Sequence, residues 1–276
     1  MTDLQKAILD VFKEFKSVCT ENNLRYYAIG GTCLGAIRHN GFIPWDDDLD
    51  VAMPFDDYKK FREKWQTMLR KPYQVLDHEK TQHCEFDFIK MFNGNTTFIE
   101  QSVRGMPDRY TGVFIDIMPI TGWPDDKDVA NRLQKKIIWL RRFDRCARFR
   151  MNRASSAKTK VFRAISAPLW MGKPYNHYSL QAEAETSSNA FGTTKNVLFP
   201  WRDKGRNVFP YDWFKEPLTV PFEDTTITVP LQYDAYLKKD FGNYMQLPPL
   251  EEQRGVHPAA IIDFHKSYRE YQEAVK

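Results

Sequence analysis

Asp46, Asp47, Asp48 and Asp50 crowd four carboxylates into one short stretch of chain. Carboxylates this close repel one another unless water or a cation separates them, so the run is either a divalent-metal binder or a solvated acidic turn. Its surroundings favour the metal. Upstream, the apolar residues Tyr26–Ile29 lead into Gly30–Gly31, and glycines let a phosphate approach the backbone. Downstream, Leu49, Val51 and Met53 alternate with the acids. If Asp48–Met53 is a strand, Asp48 and Asp50 share one face and the apolar residues share the core face. Two carboxylates at that spacing can share one metal or bridge two. Asp46 falls in the same phase, although Pro44 and Trp45 indicate a turn there. Asp47 points away and reads as a solvent or hydrogen-bonding residue. Glycines beside metal-binding carboxylates are the layout of a metal-assisted phosphoryl-transfer site.

Other residues could join that chemistry. Asp116 lies in the apolar stretch VFIDIMP, where a carboxylate must be paired, hydrogen-bonded or bound to metal. Lys90, within FIKMF, is in phase with Phe86, Phe88 and Phe92 and could neutralise a phosphate; on an edge strand it would instead be solvated. Arg38 and His39 follow a short helix and either contact a diphosphate or cap that helix. Thr32 offers a hydroxyl next to the glycine pair. Trp45 either walls the site or packs under it. Arg254 and His257 have no role that spacing can assign. His78, His83, His177 and His265 lack metal-ligand spacing. Cys33 is read as packing, because no base is placed to activate it.

These residues need elements to hold them. Leu4, Ile8, Val11, Phe15 and Val18 recur at helical spacing, and Thr2 with Gln5 forms a capping box. A strand over Leu24–Ile29 enters the glycine turn, and a short helix covers Thr32–His39. A second amphipathic helix is expected over Phe55–Leu69, with strands over Phe86–Phe92 and Val113–Met118. A helix near Gln232–Phe241 has Pro230 before it and Gly242 after it. The pattern is an α/β (α+β) fold: a mixed-sheet core over 1–125, a basic and mostly helical insertion over 126–195, and a C-terminal segment over 196–276 that packs on the core.

The chain has 276 residues and a formal net charge of +4. That length can bury a substantial core. No apolar run approaches the roughly 18–20 residues that span a bilayer, and the N-terminus lacks a signal-peptide layout. Cys19, Cys33, Cys84 and Cys146 are dispersed, as expected of reduced thiols in a cytoplasmic protein. Between Arg132 and Arg163 the cations are Arg132, Lys135, Lys136, Arg141, Arg142, Arg145, Arg148, Arg150, Arg153, Lys158, Lys160 and Arg163, with Asp144 as the sole acid. Ile137, Ile138, Trp139, Leu140, Phe143 and Phe149 are interleaved with them. Such a stretch is a solvated helical insertion, a peripheral contact with an anionic membrane, or a lining for a phosphate-rich polymer. No recognition motif accompanies the charge, so nucleic acid is not expected as a partner.

The segment GGTCLGAIRHNGFIPWDDDLDVAMPFDDYKKF resembles the signature of the LicD family, which includes bacterial phosphorylcholine transferases and is distantly similar to fukutin-related proteins. The similarity continues at Phe88–Phe98, at Thr111–Ile120 and at Val229–Pro249. The resemblance implies a nucleotidyltransferase-like fold that binds Mg²⁺ or Mn²⁺ through Asp48, Asp50 and Asp116, with Asp116 on a neighbouring strand completing the site and activating the incoming hydroxyl. Gly30, Gly31, Thr32, Arg38 and Lys90 are then expected near the donor phosphates. The implied reaction moves a phospho-alcohol, phosphocholine first, from a CDP-activated donor such as CDP-choline onto a sugar hydroxyl of a glycan or lipid-linked glycan. Teichoic acid or lipopolysaccharide precursors would be such acceptors, at the inner face of the membrane. CDP-ribitol or CDP-glycerol as donor, a conventional nucleotidyltransferase using a nucleoside triphosphate, and a non-catalytic binding relative are the alternatives. A choline donor calls for an aromatic cage, which 7 Trp and 13 Tyr do not by themselves locate.

Overall fold

The computed structural model describes all residues except 78, 82–86, 149–156, 201–207, 256 and 274–276, and leaves aside the side chains of 147, 148 and 159. His78, His83, Cys84, Phe86, Phe149, Arg150 and Arg153 therefore lie outside the described residues.

Helix α1 (Asp3–Glu21) opens with the expected capping box: Gln5 N donates to Thr2 Oγ1, and Thr2 N to Gln5 Oε1. Its stripe of Ile8, Val11, Phe12, Phe15 and Val18 is buried. Strand β1 is only Tyr27–Ala28, shorter than the Leu24–Ile29 expected. Helix α2 (Gly30–His39) starts on the glycine pair itself, so no separate turn precedes it. Strand β2 is Asp50–Pro54 and helix α3 is Phe55–Met68. Strands β3 (Tyr73–Leu76), β4 (Ile89–Asn93), β5 (Thr97–Glu100) and β6 (Phe114–Trp123) follow. All ten residues of β6 are buried, with α1, α3 and β7 among the elements packed on it. Burial along the whole strand explains why it outlasts the Val113–Met118 alternation.

The basic insertion forms α4 (Lys127–Arg148), α5 (Ala157–Trp170) and α6 (His177–Thr186). The chain then returns to the core through β7 (Asn196–Leu198), β8 (Val208–Pro210) and the hairpin β9 (Pro217–Phe222) with β10 (Thr225–Pro230). Helix α7 (Tyr233–Phe241), strand β11 (Ala259–Asp263) and helix α8 (Tyr268–Glu273) complete it.

The main sheet runs β1-β2-β6-β4-β3, and β7 joins β6 and β8. Only β2 and β6 pair in parallel; the other neighbours are antiparallel. The fold is thus α/β with mixed sheets, as expected. The C-terminal segment is tied to the site from two sides. β11 pairs with β5, and α7 packs on α2. Among the described residues no helix is long and apolar enough to cross a membrane.

Candidate active site

Three neighbouring strands set charged side chains in one row. The register of β2 on β6 places Asp50 opposite Asp116, and that of β4 places Lys90 opposite Asp116. Lys90 Nζ lies 3.3 Å from Asp116 Oδ1 and 3.7 Å from Glu100 Oε1. It also sits 3.1 Å from the Phe114 ring centroid. Lys90 is 2% exposed, on a strand flanked by β3 and β6, which rules out the solvated edge position. A buried ammonium needs anions close by, and these carboxylates supply them.

The remaining acids arrive from a loop. Because β2 begins at Asp50, Asp48 is not aligned with it by strand pleating, contrary to the Asp48–Met53 strand expected. The loop is held instead by α1: the buried Gln5 amide donates to the carbonyls of Ile43 and Asp46 at 3.1 and 3.0 Å. One carboxylate oxygen from each of Asp46, Asp47 and Asp48 lies within 4.8 Å of the other two. Asp47 Oδ2 accepts from the backbone N–H of His257 at 3.0 Å, the hydrogen-bonding role expected of it, but its carboxylate stays beside Asp46 and Asp48 instead of pointing away, because the three acids sit in a loop without strand alternation. The His257 ring then bridges two acids, with Nε2 3.0 Å from Asp48 Oδ2 and Nδ1 3.2 Å from Glu100 Oε1.

An imidazole donates from both nitrogens only as the cation. The bonds to Asp48 and Glu100 outweigh desolvation and raise the His257 pKa to about 10. Burial works to raise Glu100, but His257 and Lys90 hold its carboxyl below the ordinary value. The acids themselves are pushed the other way. Burial, then repulsion from Asp48, raises Asp46 to about 8. Burial followed by Asp48, Asp116 and Asp46 pushes Asp50 well up. Burial also raises Asp116, against the opposing pull of Lys90. The site therefore concentrates more carboxylate than its own cations neutralise. A set of hard oxygen donors in that condition fits Mg²⁺ or Mn²⁺, which would relieve the repulsion.

The first turn of α2 meets this cluster. Gly30 has φ +54°, a left-handed conformation that side-chain-bearing residues rarely adopt. A Cβ on Gly31 would stand 3.0 Å from Asp46 Oδ2, so glycine lets the carboxylate lie against the helix start. Helix N-termini favour anions through their free N–H groups and dipole. Gly30 N–H donates to the Tyr236 hydroxyl at 2.8 Å, and Asp50 N–H donates to Thr32 Oγ1 at 2.8 Å.

Of the residues expected near donor phosphates, Gly30 and Gly31 border the acids directly. Thr32 fixes the start of β2, and Lys90 is engaged with Asp116 and Glu100. Arg38 donates to the carbonyls of Tyr244 and Gln246 at 2.7 and 3.4 Å, which ties α2 to the chain beyond α7. Cys33 is fully buried, and desolvation holds its thiol up, as suits packing. Trp45 lies edge-on to His39, with ring centroids 6.4 Å apart. The grip of Gln5 on the acidic loop, the parts played by Glu100 and Tyr236, and the bridging role of His257 were not legible in the sequence. His257 lies 209 residues from Asp48 and has no metal-ligand spacing to mark it.

Residues 23–123 match the family model described as LicD/FKTN/FKRP, nucleotidyltransferase domain. The lipopolysaccharide cholinephosphotransferase LicD of Haemophilus influenzae is 26% identical over 261 residues, covering 93% of this chain and 96% of that protein. Uncharacterized proteins of Rickettsia typhi and Rickettsia prowazekii are 39% and 41% identical, but only over 57 and 51 residues. The family match contains Gly30, Gly31, Asp46, Asp48, Asp50, Lys90, Glu100 and Asp116, whereas Tyr236 and His257 come from beyond it. Residues 23–123 of this chain form a LicD-family domain.

Proposed function

We propose that this protein is a metal-dependent phosphotransferase that moves phosphocholine from CDP-choline onto a sugar hydroxyl of a cell-surface polymer precursor. The convergence of Asp46, Asp48, Asp50 and Asp116 at the N-terminus of α2 carries this reading. Choline as the transferred alcohol is supported by the Haemophilus relative, a lipopolysaccharide cholinephosphotransferase whose match extends almost end to end in both chains.

Asp48 and Asp50 would hold one or two Mg²⁺ or Mn²⁺ ions, with Asp46 and Asp116 completing the oxygen set. The bound ion supplies charge neutralisation on the diphosphate and the departing CMP, the leading catalytic contribution in phosphoryl transfer. The chain supplies the rest. Gly30 and Gly31 admit donor phosphates to the backbone of α2. The acceptor oxygen attacks the phosphocholine phosphorus, the bond from that phosphorus to CMP breaks, and Asp116 orients the hydroxyl and takes its proton. Lys90 limits the negative charge around Asp116, and His257 fixes Asp48. The acceptor is a glycan, with lipid-linked lipopolysaccharide or teichoic acid precursors as the class to test.

The experiment is to incubate the purified protein with Mg²⁺ and, separately, CDP-choline, CDP-ribitol, CDP-glycerol or nucleoside triphosphates, with and without glycan acceptor. Acceptor-dependent CMP release from CDP-choline is expected. Release from CDP-ribitol or CDP-glycerol alone would replace the donor. Pyrophosphate release from a triphosphate would replace the reaction, and no turnover with any donor would favour a non-catalytic relative.

A further inference from the structure

Helix α5 turns an apolar stripe toward solvent. Val161, Ala164, Ile165, Pro168 and Leu169 are three and four residues apart, which places them on one helical face. All five are exposed, with Ile165 at 76%, Val161 at 58% and Leu169 at 53%, and Met171 just past the helix is at 65%. The other face is the packed one. Ser166 is buried, and the Phe162 ring lies 6.3 Å from Trp139 and 6.2 Å from Phe143 on α4. A continuous apolar stripe in water marks a contact surface more often than chance exposure does.

The charge around the stripe selects its occupant. Residues 145–182 contain eight lysines and arginines and no aspartate or glutamate. Lys158, Lys160 and Lys173 are exposed at the two ends of α5. The Arg163 guanidinium lies 4.9 Å from the Trp170 ring centroid, and Trp170 Nε1 donates to Ser166 Oγ at 3.1 Å. On α4, by contrast, Lys136 pairs with Glu185, Arg141 lies 3.9 Å from Asp87, and Arg142 stacks on Phe162. Arg132, Lys135 and Arg145 of α4 are exposed as well, so cations turned to solvent flank the stripe from both helices. A second copy or a protein partner would match the stripe but would not call for acid-free, basic surroundings. An anionic phospholipid surface matches both.

We propose that α5 is a monotopic membrane anchor. Its apolar stripe enters the boundary between headgroups and acyl chains of an anionic bilayer, while Lys158, Lys160 and Lys173 meet lipid phosphates. At 14 residues the helix lies along the surface, because spanning takes roughly 20 residues. The proposal deepens the lipid-linked acceptor reading, since such an acceptor is presented at that surface. It is tested without donor or acceptor, so turnover and docking can fail separately.

The test is flotation of the full chain with vesicles of phosphatidylcholine alone and of phosphatidylcholine with an equal share of phosphatidylglycerol. The wild type should float with the anionic vesicles and not with the neutral ones. Ile165→Asn combined with Leu169→Asn should lower partitioning about tenfold or more, with an unchanged melting temperature. Replacing Lys158, Lys160 and Lys173 with Gln should lower it as well, more steeply as salt rises. In the unmodified chain, brominated lipids should quench a tryptophan signal that Trp170→Phe removes. The proposal is overturned if the wild type ignores anionic vesicles at low salt, if the apolar variant binds as the wild type does, or if brominated lipids leave the signal intact. It is also overturned if the apolar variant breaks a dimer into monomers with vesicle binding unchanged, because the stripe would then be a self-association surface.

Discussion

Binding of Mg²⁺ or Mn²⁺ should expel a proton from the acidic cluster, and the amount follows from Asp46. Its pKa of about 8 means that in the metal-free protein at neutral pH the carboxyl is mostly protonated. At pH 7 the ratio of protonated to ionised Asp46 is about ten to one, so ion binding that requires the carboxylate releases ~0.9 proton. Each pH unit below that pKa then weakens apparent affinity about tenfold, or ~1.4 kcal/mol, and the dissociation constant should rise about fiftyfold between pH 8 and pH 6. Asp50 is also pushed up and adds to this dependence, while His257 remains cationic throughout the interval because its pKa is about 10. Isothermal titration calorimetry of the metal-free protein, in buffers of different ionisation enthalpy, counts the protons directly. Asp46→Asn should lower the count by nearly one. A proton count near zero with affinity independent of pH would mean that the ion does not bind within reach of Asp46, and the reasoning would fail.

Asp48→Asn and Asp50→Asn should each remove at least about a hundredfold of kcat, because each loses a metal-binding charge at constant volume, and Asp48→Asn should also lower the melting temperature because the His257 cation loses an ionised partner; near wild-type turnover at saturating Mg²⁺ would remove that residue from the metal set. Asp116→Ala should reduce activity and also destabilise the fold by about 3–5 kcal/mol, because Lys90 loses the nearer of the two carboxylates beside it among the described residues; denaturant unfolding measures this, and the double variant Asp116→Ala with Lys90→Met should recover much of the stability but not the activity. Metal-free stability should fall as pH rises from about 5 to 9, because Asp46 and His257, together with Asp50 and Asp116, bind protons more tightly in the folded state than in the unfolded one. The Asp46 contribution is lost as pH rises through about 8 and the His257 contribution as it rises toward about 10. Saturating Mg²⁺ should flatten the neutral part of that slope, and melting curves that rise with pH would contradict the sign.

The sequence announced the parts of this site that are local. Asp50 was readable because Val51 and Met53 alternate with it, and α1 was readable because its stripe and capping box agree. Asp116 could be singled out because a carboxylate inside an apolar strand demands a partner. The identity of that partner depended on register, which no local pattern specifies: Lys90 meets Asp116 only because β4 and β6 pair as they do. Lys90 was read as a phosphate ligand or a solvated edge residue because its sequence neighbourhood does not distinguish a central strand from an edge. The Asp48–Met53 strand was expected to begin too early for a similar reason. Pro44, the loop carbonyls bound by Gln5 and the His257 contact determine where the acids point, and two of these three depend on chain distant in sequence.

The same distinction separates the family domain from the working site. Residues 23–123 contain the acids, the glycine pair and Lys90, but the ring that bridges Asp48 to Glu100 belongs to His257, and the hydroxyl that receives Gly30 N–H belongs to Tyr236. Both contacts depend on the C-terminal segment being seated, through β11 on β5 and α7 on α2. The domain alone would leave Asp48 without its only cationic hydrogen-bond partner among the described residues, while Asp46, Asp50 and Asp116 continued to repel it. An acidic cluster of this density is therefore a property of the folded chain from α1 to β11. The acids supply its chemistry, and the segments beyond the family domain determine whether those acids can be held close enough to use it.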